Sequence, residues 1–180
     1  MKSDRVLDIL EQWRVQRPDL DTSGMAIIGR LSRLDKLIRP LLDEVFADHG
    51  LESWEFDVLA TLLRCGEPHQ LTPGQLLEST MITSGAMTNR LDRLEHRGLV
   101  TRAKSPDDGR QVLVSLTTAG RLTVDAAVTD HANNERRIVA ALSPRQQQQL
   151  VGLLRQLHIA IEAEPPPTRA PFGNEPAAND

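Results

Sequence analysis

The stretch from Ser84 to Arg97 carries a run of side chains able to hydrogen-bond an extended polar partner. At about 100° per residue, Met87, Leu91 and Leu94 share one helical face and would pack inward. The opposite arc holds Gly85, Asn89, Arg93 and His96, with Ser84 and Thr88 at its N-terminal edge. Small and hydrogen-bonding residues on one arc suit close approach to base edges and phosphates in a major groove. A helix N-terminus adds free N–H groups that favour phosphate. Directly behind this helix, two β-leaning runs, 99–102 and 111–116, flank the turn-rich segment 105–109, the pattern of a β-hairpin. Arg110 stands at its tip, placed for a minor groove, and Asp108 two residues earlier is expected to orient that guanidinium. Lys104 on the hairpin and Thr72, at the start of the preceding short helix, complete the candidate DNA-binding set.

These residues need elements to hold them. Residues 4–16 read as a short helix, with Val6, Leu10 and Trp13 on one face and Pro18 beyond its end. Asp21, Thr22 or Ser23 can cap a long helix running to His49, stopped by Gly50. Pro40 lies inside its apolar stripe and predicts a kink or a short break. Ser53 is the expected N-cap of a helix through Arg64, ended by Gly66 and Pro68. Thr72-Pro73 opens a short helix, and Thr83 or Ser84 begins the next, which stops at Gly98. After the hairpin, Thr117 or Thr118 caps a helix through about Leu142. Ser143-Pro144 then opens a last helix to about Ala163. The fold class expected is mainly α with a small β-wing: a winged helix-turn-helix over 51–117, flanked by dimerisation helices over 21–50 and 118–163. An extra N-terminal helix occupies 1–20, and a proline-rich tail over 164–180 is expected to be disordered.

Bulk properties narrow the function. The 180 residues are 39% hydrophobic and 26% charged, ordinary for a soluble globular protein. No apolar run reaches the roughly 18 residues of a membrane span, and the start lacks a signal core, so a cytoplasmic protein with no membrane partner is expected. The net charge of −4 is unlike that of many DNA binders, but its distribution is polarised. Ser84 to Arg121 holds Arg90, Arg93, Arg97, Arg102, Lys104, Arg110 and Arg121 against four acids, whereas Asp43 to Asp57 holds six acids and no Lys or Arg. Phosphate binding follows the local field. The five histidines show no i, i+4 pair and no acid at ligand spacing, so no metal site or cofactor is expected. An enzyme is not expected either: there is no nucleophile elbow, phosphate loop or triad spacing. A winged domain used only for protein contacts is the alternative class, and the basic face with Arg110 argues against it.

The runs Ser84-Gly-Ala-Met-Thr-Asn-Arg-Leu-Asp-Arg-Leu-Glu95, Arg97-Gly-Leu-Val100, Asp108-Gly-Arg110 and Val114-Ser-Leu-Thr-Thr-Ala-Gly120 resemble the MarR family of transcriptional regulators over residues 25–163. The resemblance implies a homodimer with interlocking N- and C-terminal helices, reading a near-palindromic operator, most often as a repressor. Two-fold symmetry would set the recognition helices one DNA turn apart, roughly 34 Å. Trp13, Arg17-Pro-Asp-Leu-Asp-Thr-Ser23 and Ile28-Gly-Arg-Leu31 are similar to the urate-responsive, PecS-like branch. That branch binds a small anionic effector, and its ligand residues fall here on Trp13, Asp57 and Arg90. Arg90 sits near the inward edge of its helix, and Asp57, among apolar neighbours, is expected to be half-buried and to seek a cation. An Asp57–Arg90 contact disrupted by an anion would pull on the recognition helix. Where purine-binding members carry an Asn eight residues beyond the Asp, this chain has Cys65, which lacks a paired amide donor and acceptor. Another anion, such as a carboxylate, is therefore an alternative to urate. Cys65 is also the one residue that could sense oxidants, but its place at a helix C-terminus disfavours the thiolate and points to a packed, inert cysteine.

Overall fold

The computed structural model describes residues 4–79, 84–106 and 108–164, so Thr83, Asp107 and the proline-rich tail from 165 onward lie outside the described residues. In chain order the elements are α1 (Arg5–Gln16), α2 (Ser23–Asp48), α3 (Ser53–Arg64), β1 (Gln70–Leu71), α4 (Pro73–Ser79), α5 (Ser84–His96), β2 (Val100–Lys104), β3 (Val112–Leu116), α6 (Thr118–Ile138) and α7 (Pro144–Ala163). They fall into two units, divided between Ile138 and Val139.

In the first unit, α3, α4 and α5 enclose an apolar core. Val58, Leu59, Leu62, Leu76, Leu94 and Val114 have no exposed surface, and Met87 and Leu91 are nearly as deep. Full burial of each such side chain contributes about 1.5–3 kcal/mol, which fixes the inward face of α5. The sheet has strand order β1-β3-β2 and is antiparallel throughout. The β2–β3 ladder pairs Val100 with Leu116 and Lys104 with Val112. The two-residue β1, absent from the sequence reading, pairs Gln70 with Ser115 and Leu71 with Val114. It is too short to show a period of two, and only the partner strand makes it a strand.

Local rules set most boundaries. The Asp4 carboxylate accepts from Val6 N at 3.0 Å and caps α1. The Thr72 hydroxyl accepts from Gln75 N at 3.2 Å, and the Gln75 side chain accepts from Thr72 N in return, a capping box. Gly50 and Gly98, at φ of +65° and +68°, end α2 and α5 in the left-handed conformation that glycine tolerates. α1 lies on α2 where Gly29 lets Val6 approach; a Cβ there would meet the Val6 side chain at 3.3 Å.

Three expectations require correction. α2 is one continuous helix through Pro40, so the short break does not form; the proline removes a single N–H donor from the ladder. The N-cap of α3 is Glu52 and not Ser53. Glu52 N donates to Glu55 Oε2 at 2.9 Å, whereas the Ser53 hydroxyl turns to Asp43 on α2. α6 ends at Ile138, short of Leu142, with Leu142 N donating to Val139 O in the following turn.

The second unit is dominated by α7. Ser143 and Gln146 form its capping box, with Ser143 N donating to Gln146 Oε1 at 2.9 Å, and Pro144 stands in the first turn as expected. Gln147 bonds Val139 O and Leu142 O, so part of the glutamine run closes the helix start while its neighbours face water. None of the α7 side chains is buried, and Val151, Leu153, Ile159 and Ile161 are exposed.

Candidate nucleic-acid interface

α5 is held on its inner side by Met87, Leu91 and Leu94, and its Thr88, Asn89, Arg93 and His96 are exposed. The amphipathic spacing thus places four of the sequence-derived residues on one arc. Ser84 and Gly85 open the helix, and their side chains lie outside the described residues. Thr72 acts as the α4 cap, which leaves its hydroxyl engaged with Gln75.

The wing follows at once. Ser105 N donates to Gln111 O at 2.9 Å, and Gln111 N to Asp108 O at 2.9 Å. Asp108 does not steer the Arg110 guanidinium. Its Oδ1 accepts from the Arg110 backbone N–H at 3.0 Å, so the carboxylate shapes the turn, the i to i+2 habit of aspartate in loops. Lys104 and Arg110 are exposed, and among the described residues neither forms an ion pair. At the wing base, Arg102 bridges Glu95 at 2.5 Å and Asp92 at 2.7 Å, tying β2 to α5. The Arg102 guanidinium holds Glu95 below the usual carboxylate range.

α6 is locked to the same base. Thr117 N donates to Leu99 O at 3.1 Å, and its hydroxyl donates to Gly98 O at 2.7 Å. Gly120 lies so close that a Cβ would fall 1.9 Å from Leu99 O. Asn134, buried, donates from Nδ2 to Leu41 O at 2.8 Å and fastens α6 to α2.

The candidate effector residues sit differently from expectation. Asp57 is exposed on α3, because it falls on the outward side of the helix whose inner side holds Val58, Leu59 and Leu62. It forms no ion pair with Arg90 among the described residues. Arg90 instead lies over the Trp54 indole, 5.3 Å from the ring centroid. The buried acid is Glu55, with its side chain 1% exposed. Glu55 Oε2 accepts from Arg97 Nη1, and Arg97 Nη2 donates to Gly50 O at 2.7 Å. The sequence reading missed Glu52, Trp54, Glu55 and Arg97. The spacing of Glu52 and Glu55 could have shown the first and third, since both belong to one capping box.

Trp13 is 39% exposed on α1, a helix whose described packing is against α2. Cys65 is exposed and not packed, since the chain turns away at Gly66. Its Sγ lies 3.1 Å from Leu62 O and 3.6 Å from Gly66 O. Two histidines do have an acid at i, i+4, contrary to the sequence reading: His131 with Glu135 and His158 with Glu162, each at 3.3 Å. Among the described residues no group of three or more His, Cys, Asp or Glu could hold a metal. No helix among them is long and apolar enough to cross a membrane.

A buried-face helix followed by a two-stranded wing, with its hydrogen-bonding arc and wing cations exposed, defines a winged helix-turn-helix, DNA-binding transcriptional regulator. The model of the MarR family matches residues 49–111. The chain is 42% identical over 149 residues to the HTH-type transcriptional regulator PecS of Dickeya dadantii (strain 3937), which covers 83% of this chain and 90% of that relative. The fold is similar to that of a mutant MarR from E. coli complexed with operator DNA, with a TM-score of 0.65 and 26% identity over 76% of this chain and 96% of that one. It is also similar to Bordetella bronchiseptica BpsR, whose DNA binding is regulated by 6-hydroxynicotinic acid, with a TM-score of 0.62 and 26% identity over 73% of this chain and 92% of that one. This chain belongs to the MarR family, and its relatives are regulators and not enzymes.

Proposed function

We propose that the protein is a cytoplasmic repressor that binds near-palindromic duplex DNA as a homodimer and is released by a small anionic metabolite. The observation that carries the DNA part is the exposed arc of Thr88, Asn89 and Arg93 beside a wing bearing Lys104 and Arg110. Ser84 and Gly85, at the start of α5, would lie nearest the base edges, and Thr72 and Asp108 would act indirectly, by capping α4 and shaping the wing turn. Lys104 and Arg110 supply cations for phosphate or a narrow minor groove. The similarity of the fold to that of a MarR complexed with operator DNA supports this reading.

Homodimerisation is supported by apolar surface that the chain leaves uncovered. Ile27, Ile28, Leu34, Leu37 and Leu41 on α2 are at least 45% exposed. On α7, Val151 and Leu153 are 65% and 64% exposed. Patches of this kind mark association surfaces. A two-fold axis would place the two α5 helices about 34 Å apart, one DNA turn. Residues 21–50 and 118–163 are accordingly assigned to dimerisation and 51–117 to DNA binding, with 1–20 as an additional helix.

The effector is proposed to be an anion with an aromatic or purine ring. Trp13 offers a flat ring face, Arg90 a cation adjacent to the recognition arc, and Asp57 an exposed hydrogen-bond acceptor on α3. Cys65 in place of an amide favours a carboxylate over urate. The regulation of BpsR by 6-hydroxynicotinic acid supports an aromatic acid as the class. A thermal-shift screen of urate, other purines and hydroxy-aromatic acids, read beside release from promoter DNA, tests this. A ligand of the folded protein raises Tm with concentration by mass action. If no member of either class both stabilises the protein and releases DNA, the effector reading fails.

A further inference from the structure

Arg90 and Arg93 of α5, and Arg97 just beyond its end, turn back onto the start of α3. Arg97 is bound to the buried Glu55, but Arg93 is held by groups that face water. Arg93 Nη2 meets Glu52 Oε1 at 2.5 Å, with the two side chains 53% and 56% exposed. Its guanidinium also lies 4.8 Å from the Trp54 ring centroid, and the Trp54 Nε1–H donates to Glu52 Oε2 at 2.7 Å. Glu52 therefore uses one oxygen for the arginine and the other for the indole. The two hydrogen bonds hold its carboxyl below the usual glutamate range, so the pair is charged at neutral pH.

We infer that Glu52, with Trp54 beneath it, is an affinity-setting residue that holds Arg93 off the DNA phosphates until binding draws the guanidinium away. An exposed ion pair is weak and exchanges partners readily, whereas a phosphate contact releases a condensed counterion. When Arg93 leaves, Glu52 is bared beside the duplex and must regain a cation, which cancels most of that release. Glu52 thus lowers both the affinity and the salt sensitivity that α5 would otherwise confer. The Trp54 ring face adds a second, cation–π hold on the same guanidinium.

The test is a double-mutant cycle on the full chain, with mixed-sequence duplex DNA about three turns long (~30 base pairs) as the probe. Glu52→Gln keeps an acceptor for the indole but removes the charge. It is expected to tighten binding roughly 1.5- to 5-fold per subunit, the range an exposed ion pair spans, and to steepen the salt slope by up to about 0.9 per subunit. In an Arg93→Gln background the same change is expected to do nothing. An equal gain in both backgrounds would mean that Glu52 acts only as a distant negative charge, which overturns the proposal. So would weaker binding of Glu52→Gln with lowered Tm, the mark of a helix cap alone. A second measurement needs no variant: titrating the duplex into the wild type should move the Trp54 indole N–H and Arg93 Nε–H NMR signals together. Signals that stay put overturn it as well.

Discussion

Replacing Gly120 with alanine sets two physical effects against each other. Gly120 lies in the first turn of α6, and helix propensity alone predicts that alanine stabilises there by at most about 1 kcal/mol. The packing predicts the reverse. The added Cβ would sit 1.9 Å from Leu99 O, 2.8 Å from Leu99 C and 3.2 Å from Leu99 Cα. Those atoms are backbone, and no rotamer change moves them. Reaching ordinary contact requires α6 and the start of β2 to separate by more than 1 Å, which strains the Thr117 bonds to Gly98 O and Leu99 O. Overpacking of a closed site costs typically about 1–3 kcal/mol, and this one belongs at the upper end. The net expectation is a loss of about 2 kcal/mol, or roughly 4–8 °C in Tm for a chain of this size. Urea unfolding at matched protein concentration measures it. Gly24→Ala, where nothing lies within 4 Å of the new Cβ, serves as the control and should be neutral or slightly stabilising. Should Gly120→Ala match Gly24→Ala, Leu99 is not clamped by α6 and the steric argument is wrong.

Four further outcomes are expected. Arg110→Ala should weaken duplex binding and lower the salt slope by about 0.9 per subunit, with oligomeric state by light scattering unchanged; an unaltered slope removes Arg110 from the contacts. Arg97→Ala strands the buried Glu55, whose Oε1 already has no hydrogen-bond partner. The loss should fall at the lower end of the ~3–5 kcal/mol for a broken buried pair, because Arg97 is 38% exposed; adding Glu55→Gln should restore part of it. For pH, Glu95 is held below its usual range by Arg102, so it contributes stability that is present above about pH 4.3 and is lost as pH falls through the lowered value. The stability gap between wild type and Glu95→Gln should therefore be constant near neutrality and close in acid; a gap that persists in acid contradicts the ion pair. Trp13→Ala and Arg90→Ala should fold and bind DNA but lose effector-induced release, and normal release from both would move the effector site elsewhere.

Much of the fold was legible because local chemistry specifies it. The inward stripe Met87, Leu91, Leu94 follows from helical period alone, and the burial of all three agrees. The caps at Thr72 and Ser143 and the stops at Gly50 and Gly98 are short-range matters of donor, acceptor and φ. The wing was readable from two β-leaning runs about a turn. Pattern fails where a residue's partner is distant in sequence. β1 exists because β3 lies beside it. The cap of α3 is Glu52 and not Ser53, since Asp43, ten residues away, takes the serine hydroxyl.

The candidate site divides along the same line. By itself the sequence determined the polar arc of α5 proposed to read DNA, because a buried stripe defines its own opposite face. It could not decide which cations that arc offers freely. The tertiary structure engages Arg90 and Arg93 at Trp54, Arg97 at Glu55 and Arg102 at Glu95, while Lys104 and Arg110 stay exposed on the wing. It also turns Asp57 outward and Glu55 inward, two residues apart on one helix. Those assignments depend on how the side chains of α5 reach the start of α3, a placement set by the whole core. The charges were visible in the chain; their pairing, which fixes how freely each can be offered to a partner, was decided only by the packing.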